Sequence, residues 1–126
     1  MSNKAVGMKK WAFSDGYIPV QSTGHEPDFV SSDKLSVLNT TKEDATINIT
    51  LYFTDGEPVG EFKIEVKAER VRKFRINDLI DPQAIPLGVA YAGVIESNVP
   101  VVVQFTKQNT AQSKLALMGT MAFPLD

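Results

Sequence analysis

Apolar and polar side chains alternate through the middle of this chain. One alternating run covers residues 46–53 and a second covers residues 62–66. Their apolar members are Ile47, Ile49, Leu51, Phe53, Phe62, Ile64 and Val66. A period of two places these side chains on one face of an extended segment, so the pattern predicts two half-buried β-strands and no helix.

Glycine and proline punctuate these strands. The segment Asp55–Gly60 has the composition of a hairpin loop, which would connect the two alternating runs. A tight turn near Ala68–Glu69 would then return the chain along Arg70–Ile76. The three strands are therefore predicted to form a meander.

Further extended segments occur on both sides of this region. The sequence predicts strands at Lys10–Phe13, Lys34–Leu38, Tyr91–Glu96, Val101–Thr106 and Leu115–Phe123. Asn98–Pro100 is expected to be a tight connection, because proline supplies no ladder donor. One short helical turn is predicted at Asn77–Ile80, with Asn77 as its candidate cap, and the polar segment 107–114 is expected to be a loop. About eight short strands with few helices predict an all-β sandwich or barrel.

Length and composition are those of one folded domain. The chain has 126 residues, of which 43% are hydrophobic and 22% charged, so we expect a single domain over 1–126 with a flexible N-terminus at 1–9. Thirteen basic and 15 acidic residues give a net charge of −2, which provides no overall attraction to nucleic acid or anionic lipid. The longest strongly apolar stretch, Val99–Val103, is far too short to span a membrane as a helix. With no recognisable signal peptide, a soluble cytoplasmic protein is expected.

The residues available for catalysis or metal binding are few. There is no cysteine, which excludes thiol chemistry, and a single histidine, His25, which excludes a histidine-rich metal centre within one chain. No nucleophile elbow or phosphate-binding glycine motif occurs, so no cofactor and no metal are predicted. His25 is best interpreted as an exposed loop residue. Its neighbour Glu26 is equally consistent with a ligand-binding carboxylate and with a surface charge.

Two other features allow both a structural and a functional interpretation. Six of the basic residues fall within Lys63–Arg75, but Glu65 and Glu69 lie between them and Glu61 lies just before them, so a solvated face is favoured over a contact with nucleic acid or with an acidic partner. Trp11 is the only tryptophan. It is expected to fill the core, although an aromatic face can also stack on a sugar ring.

Several short runs, taken in order, resemble the sensory rhodopsin transducer family over nearly the whole chain, from Trp11 to Phe123. They are Trp11-Ala, Asp15-Gly-Tyr-Ile-Pro19, Glu26-Pro27, Val37-Leu-Asn39, Glu57-Pro-Val-Gly60, Ile76-Asn-Asp-Leu79, Ile85-Pro86 and Ser97-Asn-Val-Pro-Val-Val-Val-Gln104. The resemblance implies a compact β-sandwich that assembles as a four-fold symmetric homotetramer. It also implies a binding module and not an enzyme.

The resemblance leaves two functional interpretations open. The leading one is recognition of a small polar ligand, with carbohydrates as candidates, relayed to a partner by the oligomer. The alternative is a cytoplasmic signalling partner of a membrane photoreceptor that acts by direct protein contact. The chain departs from the pattern of the family's namesake at Phe105, where histidine is expected, and at Lys107, where arginine is expected. If Lys107 contacts a partner or ligand, specificity there is expected to differ, because lysine lacks the two-pronged hydrogen bonding of arginine.

Polar or aromatic residues within the matched runs are the candidate ligand-binding set. They are Trp11, Glu26, Asn77, Asn98 and Gln104. Asparagine and glutamine carry both donors and acceptors, which suits ligands rich in hydroxyl groups. Structural roles compete with this interpretation, since Asn77 can cap a turn, Asn98 can shape a loop and Gln104 can bond within the sheet. The strand Val99–Thr106 is a candidate oligomer surface, because it carries more apolar residues than one buried face requires.

Overall fold

The chain folds almost entirely as β-structure. The computed structural model describes residues 5–18, 32–80, 82–109 and 116–125. Eight strands and one short 3-10 turn, Ile76–Asp78, occupy this part of the chain. The strands are β1 (Met8–Tyr17), β2 (Ser32–Asn39), β3 (Ala45–Phe53), β4 (Val59–Val66), β5 (Arg70–Arg75), β6 (Ala90–Asn109), β7 (Ala116–Met121) and β8 (Phe123–Leu125). The predicted all-β class, the number of strands and the one short helical turn are confirmed.

All eight strands belong to one antiparallel sheet, which the long strand β6 holds together. The first part of β6 pairs with β1 and β3, and its last part pairs with β2 and β7. The remaining strands extend these two halves, because β4 pairs with β3, β8 with β1, and β5 with β2. One half therefore contains β4, β3, β1 and β8, the other contains β5, β2 and β7, and β6 runs through both.

The two halves enclose a common core. Ile47, Ile49 and Leu51 of β3 are fully buried, as their alternation predicts. Phe13 of β1 stacks on Phe105 in the last part of β6, with ring centroids 4.5 Å apart. Buried side chains from both halves form one cluster, and each fully buried large aliphatic or aromatic side chain contributes about 1.5–3 kcal/mol to folding.

The predicted connection at Asn98–Pro100 is wrong, because β6 continues through it. Ser97 is the last residue of β6 that pairs with β3, and Val102 is the first that pairs with β2. The strand thus exchanges β3 for β2 between these residues. Pro100 lies in that interval, inside the irregularity of the β1–β6 ladder between the pairs Lys10–Glu96 and Met8–Val101, and proline is tolerated at such irregularities. The start of the segment predicted as a loop, 107–109, also belongs to β6, and its remainder up to 114 lies outside the described residues.

The predicted meander is also wrong in its third strand. β3 and β4 form the expected hairpin, but β5 pairs with β2 and not with β4. The reason is the turn at Ala68–Glu69. Its two N–H groups donate to Asp44 Oδ1 and to the Thr41 carbonyl, both in the β2–β3 connection, at 2.9 and 3.0 Å. The turn is thereby tied to that connection and directs the chain into the other half of the sheet.

Three smaller differences concern the ends of elements. The 3-10 turn begins after Arg75, which makes no side-chain capping bond, so Asn77 lies within the turn and is not its cap. The single strand predicted at Leu115–Phe123 is two strands, β7 and β8, which pair with β6 and β1. β1 starts at Met8, inside the segment 1–9 whose flexibility stays a prediction. No helix in the described ranges is long and apolar enough to cross a membrane.

Candidate binding site

The core contains one buried carboxylate in the described part of the chain. Asp33, at the start of β2, is only 1% exposed. Its Oδ2 accepts a 2.5 Å hydrogen bond from the Tyr91 hydroxyl and a 3.0 Å bond from the Tyr17 N–H. A buried carboxylate is costly unless it is hydrogen-bonded, so these donors allow Asp33 to remain in the core. The contacts join the end of β1, the start of β2 and the start of β6.

Aromatic rings surround the phenol of Tyr91. Phe13 meets it edge to face at 6.0 Å, and Phe53 lies 6.3 Å away at a tilt. Glycine in β6 makes room for this packing, because a Cβ at Gly93 would lie 2.5 Å from the ring of Phe13. The apolar surroundings hold the Tyr91 hydroxyl against Asp33.

The electrostatics of the pair follow from this burial. Burial of the ring, the nearby Asp33 charge and the hydrogen bond to Asp33 raise the pKa of Tyr91 above its ordinary value of 10.0. Tyr91 is therefore a neutral hydrogen-bond donor at physiological pH. The single O–H of Tyr91 is already donated to Asp33, and the pair contains no phenolate base.

The two positions expected to differ from the family's namesake, Phe105 and Lys107, lie on the last part of β6. Phe105 is 1% exposed and stacks on Phe13, so it belongs to the core. Lys107 is directly opposite Asp33 in the β2–β6 ladder and is half-buried. A cation opposite a carboxylate on neighbouring strands stabilises both. Asp33, Tyr91 and Lys107 therefore form a polar cluster at one end of the core, and we call this cluster the polar end.

Sequence reasoning did not select Asp33 or Tyr91, although a signal for Asp33 was present. In β2 the buried positions Asp33, Leu35, Val37 and Asn39 alternate. A polar residue in phase with buried apolar residues indicates a bonded polar group in the core. Tyr91 lies in phase with Gly93 and Ile95 of β6 in the same way.

Asn39 is the other buried polar residue on the core-facing side of β2, and its side chain is hydrogen-bonded. Its amide donates to the carbonyls of Glu43, Val66 and Lys67 at 2.8–3.3 Å. Its Oδ1 accepts from the N–H and the hydroxyl of Thr41 at 2.9 and 2.7 Å. Asn39 thus fastens the β2–β3 connection to the end of β4, which is a structural role.

Trp11 is a core residue. It is 4% exposed, and its indole N–H donates to the carbonyls of Met8 and Val101 at 3.0 and 2.9 Å. Both the ring and its polar atom are therefore engaged inside the protein. This favours the core-filling interpretation over stacking on a sugar.

Asn98 and Gln104 lie on β6 but differ in their surroundings. Asn98 Oδ1 accepts from the Thr46 N–H at 2.7 Å, and its amide donates to the Asp44 carbonyl at 3.3 Å. These bonds attach β6 to the start of β3. Gln104 is exposed on the outer face, between Ser36 of β2 and Met121 of β7 in the register.

Three further residues singled out in the sequence are Asn77, Glu26 and His25. Asn77 is half-buried in the 3-10 turn, and Glu26 and His25 lie outside the described residues. Trp11, Asn77, Asn98 and Gln104 line none of three surface depressions of about 340, 410 and 450 Å³ that described residues form. In the described ranges, no group of three or more acidic or histidine side chains is placed to hold a metal ion.

The basic segment Lys63–Arg75 is largely engaged with acceptors of the same chain. Lys67 contacts Glu65 at 2.6 Å and Asp44 at 3.5 Å, and the hydrogen bond to Glu65 is the main cause of its raised pKa. Arg72 donates to the Glu65 carbonyl at 2.8 Å. Arg75 holds Asp78 through two hydrogen bonds of 2.9 and 2.7 Å. These contacts reduce the positive field that the sequence suggested.

Comparison with known proteins identifies the family. The family described as "Anabaena sensory rhodopsin transducer" matches residues 6–124. The solved structure of the Anabaena sensory rhodopsin transducer is similar, with 45% identity, a TM-score of 0.75, and coverage of 82% of this chain and 99% of that one. The crystal structure of Thermotoga maritima 1070 is similar as well, with 34% identity, a TM-score of 0.83, and coverage of 95% and 97%. A search of curated proteins gives no match. The chain belongs to the Anabaena sensory rhodopsin transducer family.

Proposed function

We propose that this protein is a non-enzymatic signalling module that acts by direct contact with a sensory rhodopsin in the membrane. The observation that carries the proposal is the 45% identity with the Anabaena sensory rhodopsin transducer over 99% of that chain. A cytoplasmic location is part of the proposal, because the contact is made with the cytoplasmic side of the receptor.

The chemistry of the polar end supports a module that binds and does not catalyse. The Asp33 carboxylate and the Tyr91 hydroxyl bond to each other, and the raised pKa of Tyr91 keeps the phenol protonated. The phenol is therefore not poised to accept a proton from a substrate near neutral pH. We expect no turnover of ester, phosphoester or glycoside substrates.

The experiment for this function is a binding measurement with a reconstituted receptor. The full chain would be titrated onto a sensory rhodopsin in lipid nanodiscs, in the dark and under illumination, with empty nanodiscs as the control. Saturable binding to nanodiscs that contain the receptor, without binding to empty nanodiscs, would support the proposal. Binding equal to that of empty nanodiscs in both conditions would refute it.

A homotetramer is part of the same proposal, but the strand Val99–Thr106, which the sequence suggested as its interface, is not the surface that we propose. Val99, Val101, Val103 and Phe105 are all buried in the core, which uses most of the apolar character of that strand. Phe123 of β8 is 67% exposed and lies in register with Ala12 of β1. The outer face of β8 and β1 therefore offers a second copy more exposed apolar surface than the strand Val99–Thr106 does. Light scattering at micromolar concentration should give four times the chain mass, and a monomer mass would contradict it.

The polar end favours a second candidate function, the binding of a small polar ligand. Asp33 and Lys107 place a carboxylate and a half-buried cation at one end of the core, where the Tyr91 hydroxyl donates to Asp33. Groups of this kind bind hydroxyl or carboxylate groups, which includes carbohydrates. A ligand that binds only the folded state raises the melting temperature. A thermal-shift screen of monosaccharides and sugar acids tests this function, with Lys107→Ala expected to abolish the shift and Lys63→Ala expected to preserve it.

A further inference from the structure

The outer face of β5, β2 and the last part of β6 carries an exposed apolar row. Leu38 of β2 lies opposite Val71 of β5 on one side and Val102 of β6 on the other. Val71 is 56% exposed and Leu38 is 39% exposed, while Val102 is half-buried. Directly opposite residues share a face, so the three side chains form one strip across three strands.

Cations follow this strip along the same face. Two residues beyond Val71 and Leu38, about 7 Å along the strands, lie Lys73 and Ser36, with Gln104 beside Ser36 on β6. The next positions are Arg75, Lys34 and Thr106. At these outward positions no aspartate or glutamate occurs. Asp78 neutralises Arg75 from the adjoining turn, so exposed Lys73 dominates the positive charge.

Protection of a sheet edge explains only part of this pattern. β5 pairs only with β2 in the described sheet, and a lysine on such an edge prevents pairing with other chains. An exposed valine and leucine beside that lysine add nothing to this protection. Adjacent exposed apolar side chains are typical of surfaces that another molecule covers.

From this juxtaposition we infer that the outer face of β5, β2 and β6 docks an acidic segment of a partner protein. The segment places apolar side chains on the strip of Val71, Leu38 and Val102, and it places a carboxylate about 7 Å away against Lys73. Gln104, a predicted binding residue, supplies a donor and an acceptor on the same face. The inference rests on the proposed function, since it identifies the surface and the partner chemistry of that contact.

Charge selects this occupant over two others. A second copy that applied the same face in a two-fold dimer would oppose Lys73 and Lys34 with identical cations, which is unfavourable, and the proposed tetramer contact lies on the other half of the sheet, at β8 and β1. A nucleic acid would place phosphates against the apolar strip, where they would lose hydration without a compensating partner. An acidic protein segment with apolar neighbours satisfies both parts of the face.

The test uses the full chain labelled with ¹⁵N and two short peptides as probes. One peptide alternates glutamate with valine, and its counterpart alternates lysine with valine. We expect the acidic peptide to shift the amide signals of Leu38, Val71, Lys73 and Val102. The substitution Lys73→Glu should weaken this binding about fivefold, and Val71→Ser should weaken it by a similar factor. Lys63→Glu, a matched charge reversal on β4 of the other half, should leave the affinity unchanged.

Four outcomes would overturn the inference. These are no binding of the acidic peptide, shifts confined to other surfaces, equal binding of the basic peptide, and displacement of the acidic peptide by duplex DNA or by self-association of the chain. The receptor titration separates this result from the proposed function. If the Lys73→Glu variant binds the receptor as tightly as wild type, the docking inference is contradicted, but the proposed function is not. Peptide binding on this face without receptor binding would do the reverse.

Discussion

The Tyr91 hydroxyl and the Asp33 carboxylate are joined by a 2.5 Å hydrogen bond inside the core. The two residues are 58 positions apart in the chain, and they connect the start of β2 to the start of β6. The Tyr17 N–H adds the end of β1 to the same carboxylate oxygen. This contact fixes three strands at the end of the sheet where the half-buried Lys107 also lies.

Removal of the Tyr91 hydroxyl should therefore destabilise the protein. Tyr91→Phe removes the donor of the shorter of the two hydrogen bonds described for the buried Asp33 carboxylate. We therefore expect a loss of about 1–3 kcal/mol in the free energy of unfolding. Urea denaturation measures this loss. Tyr52→Phe is the matched control, because Tyr52 is 44% exposed. Equal stability of Tyr91→Phe and wild type would contradict the role of the bond.

The raised pKa of Tyr91 makes stability fall at alkaline pH. In the unfolded chain this tyrosine ionises near its ordinary pKa of 10.0, whereas burial and Asp33 keep it protonated in the folded state. Its stabilising contribution is thus complete below pH 10 and is lost as the pH rises further, by about 1.4 kcal/mol per pH unit. Denaturation at a series of alkaline pH values should show a shallower decline for Tyr91→Phe. Identical declines for the two proteins would contradict the pKa shift.

Trp11 should report on folding and not on ligands. Its indole is buried and bonded to the carbonyls of Met8 and Val101. Trp11→Phe removes this donor and leaves a small cavity, so we expect a loss of about 2 kcal/mol. Wild-type fluorescence should be blue-shifted and resistant to acrylamide, with no response to added sugars. Quenching by a monosaccharide at constant stability would restore the sugar-stacking interpretation.

Asn98 and Gln104 should respond differently to the same substitution. Asn98→Ala removes the acceptor of the Thr46 N–H and the donor to the Asp44 carbonyl, and it should cost about 1 kcal/mol. Asn98→Asp keeps the acceptor but places a carboxylate oxygen against the Asp44 carbonyl, so it should cost about as much as Asn98→Ala. Gln104→Ala should change stability by less than about 0.5 kcal/mol, since this side chain is exposed. Thermal denaturation of the three variants measures the order, and a larger loss for Gln104→Ala would contradict the assignment.

The sequence predicted the strands better than their partners. The alternation at Ile47, Ile49 and Leu51 reports burial of one face, which is a local property of the strand, and it was confirmed. The pairing of β5 with β2 depends on hydrogen bonds from the Ala68–Glu69 turn to Thr41 and Asp44, more than 20 residues away. The continuity of β6 through Pro100 depends on where its neighbours change. Neither relation has a local signal.

The candidate site was predicted less well for a related reason. Trp11 and Asn98 have side chains suited to ligands, but partners within the fold engage them. A residue type indicates what a side chain can bind, and only the fold determines whether that capacity is already used. Asp33 was detectable in principle, because it lies in phase with Leu35 and Val37.

The receptor titration tests the central claim most directly. The full chain should bind a sensory rhodopsin in nanodiscs saturably, illumination should change the dissociation rate, and Lys73→Glu should weaken the complex about fivefold while Lys63→Glu does not. Binding that never exceeds that of empty nanodiscs, in the dark or in the light, would contradict a role in direct signalling from the receptor.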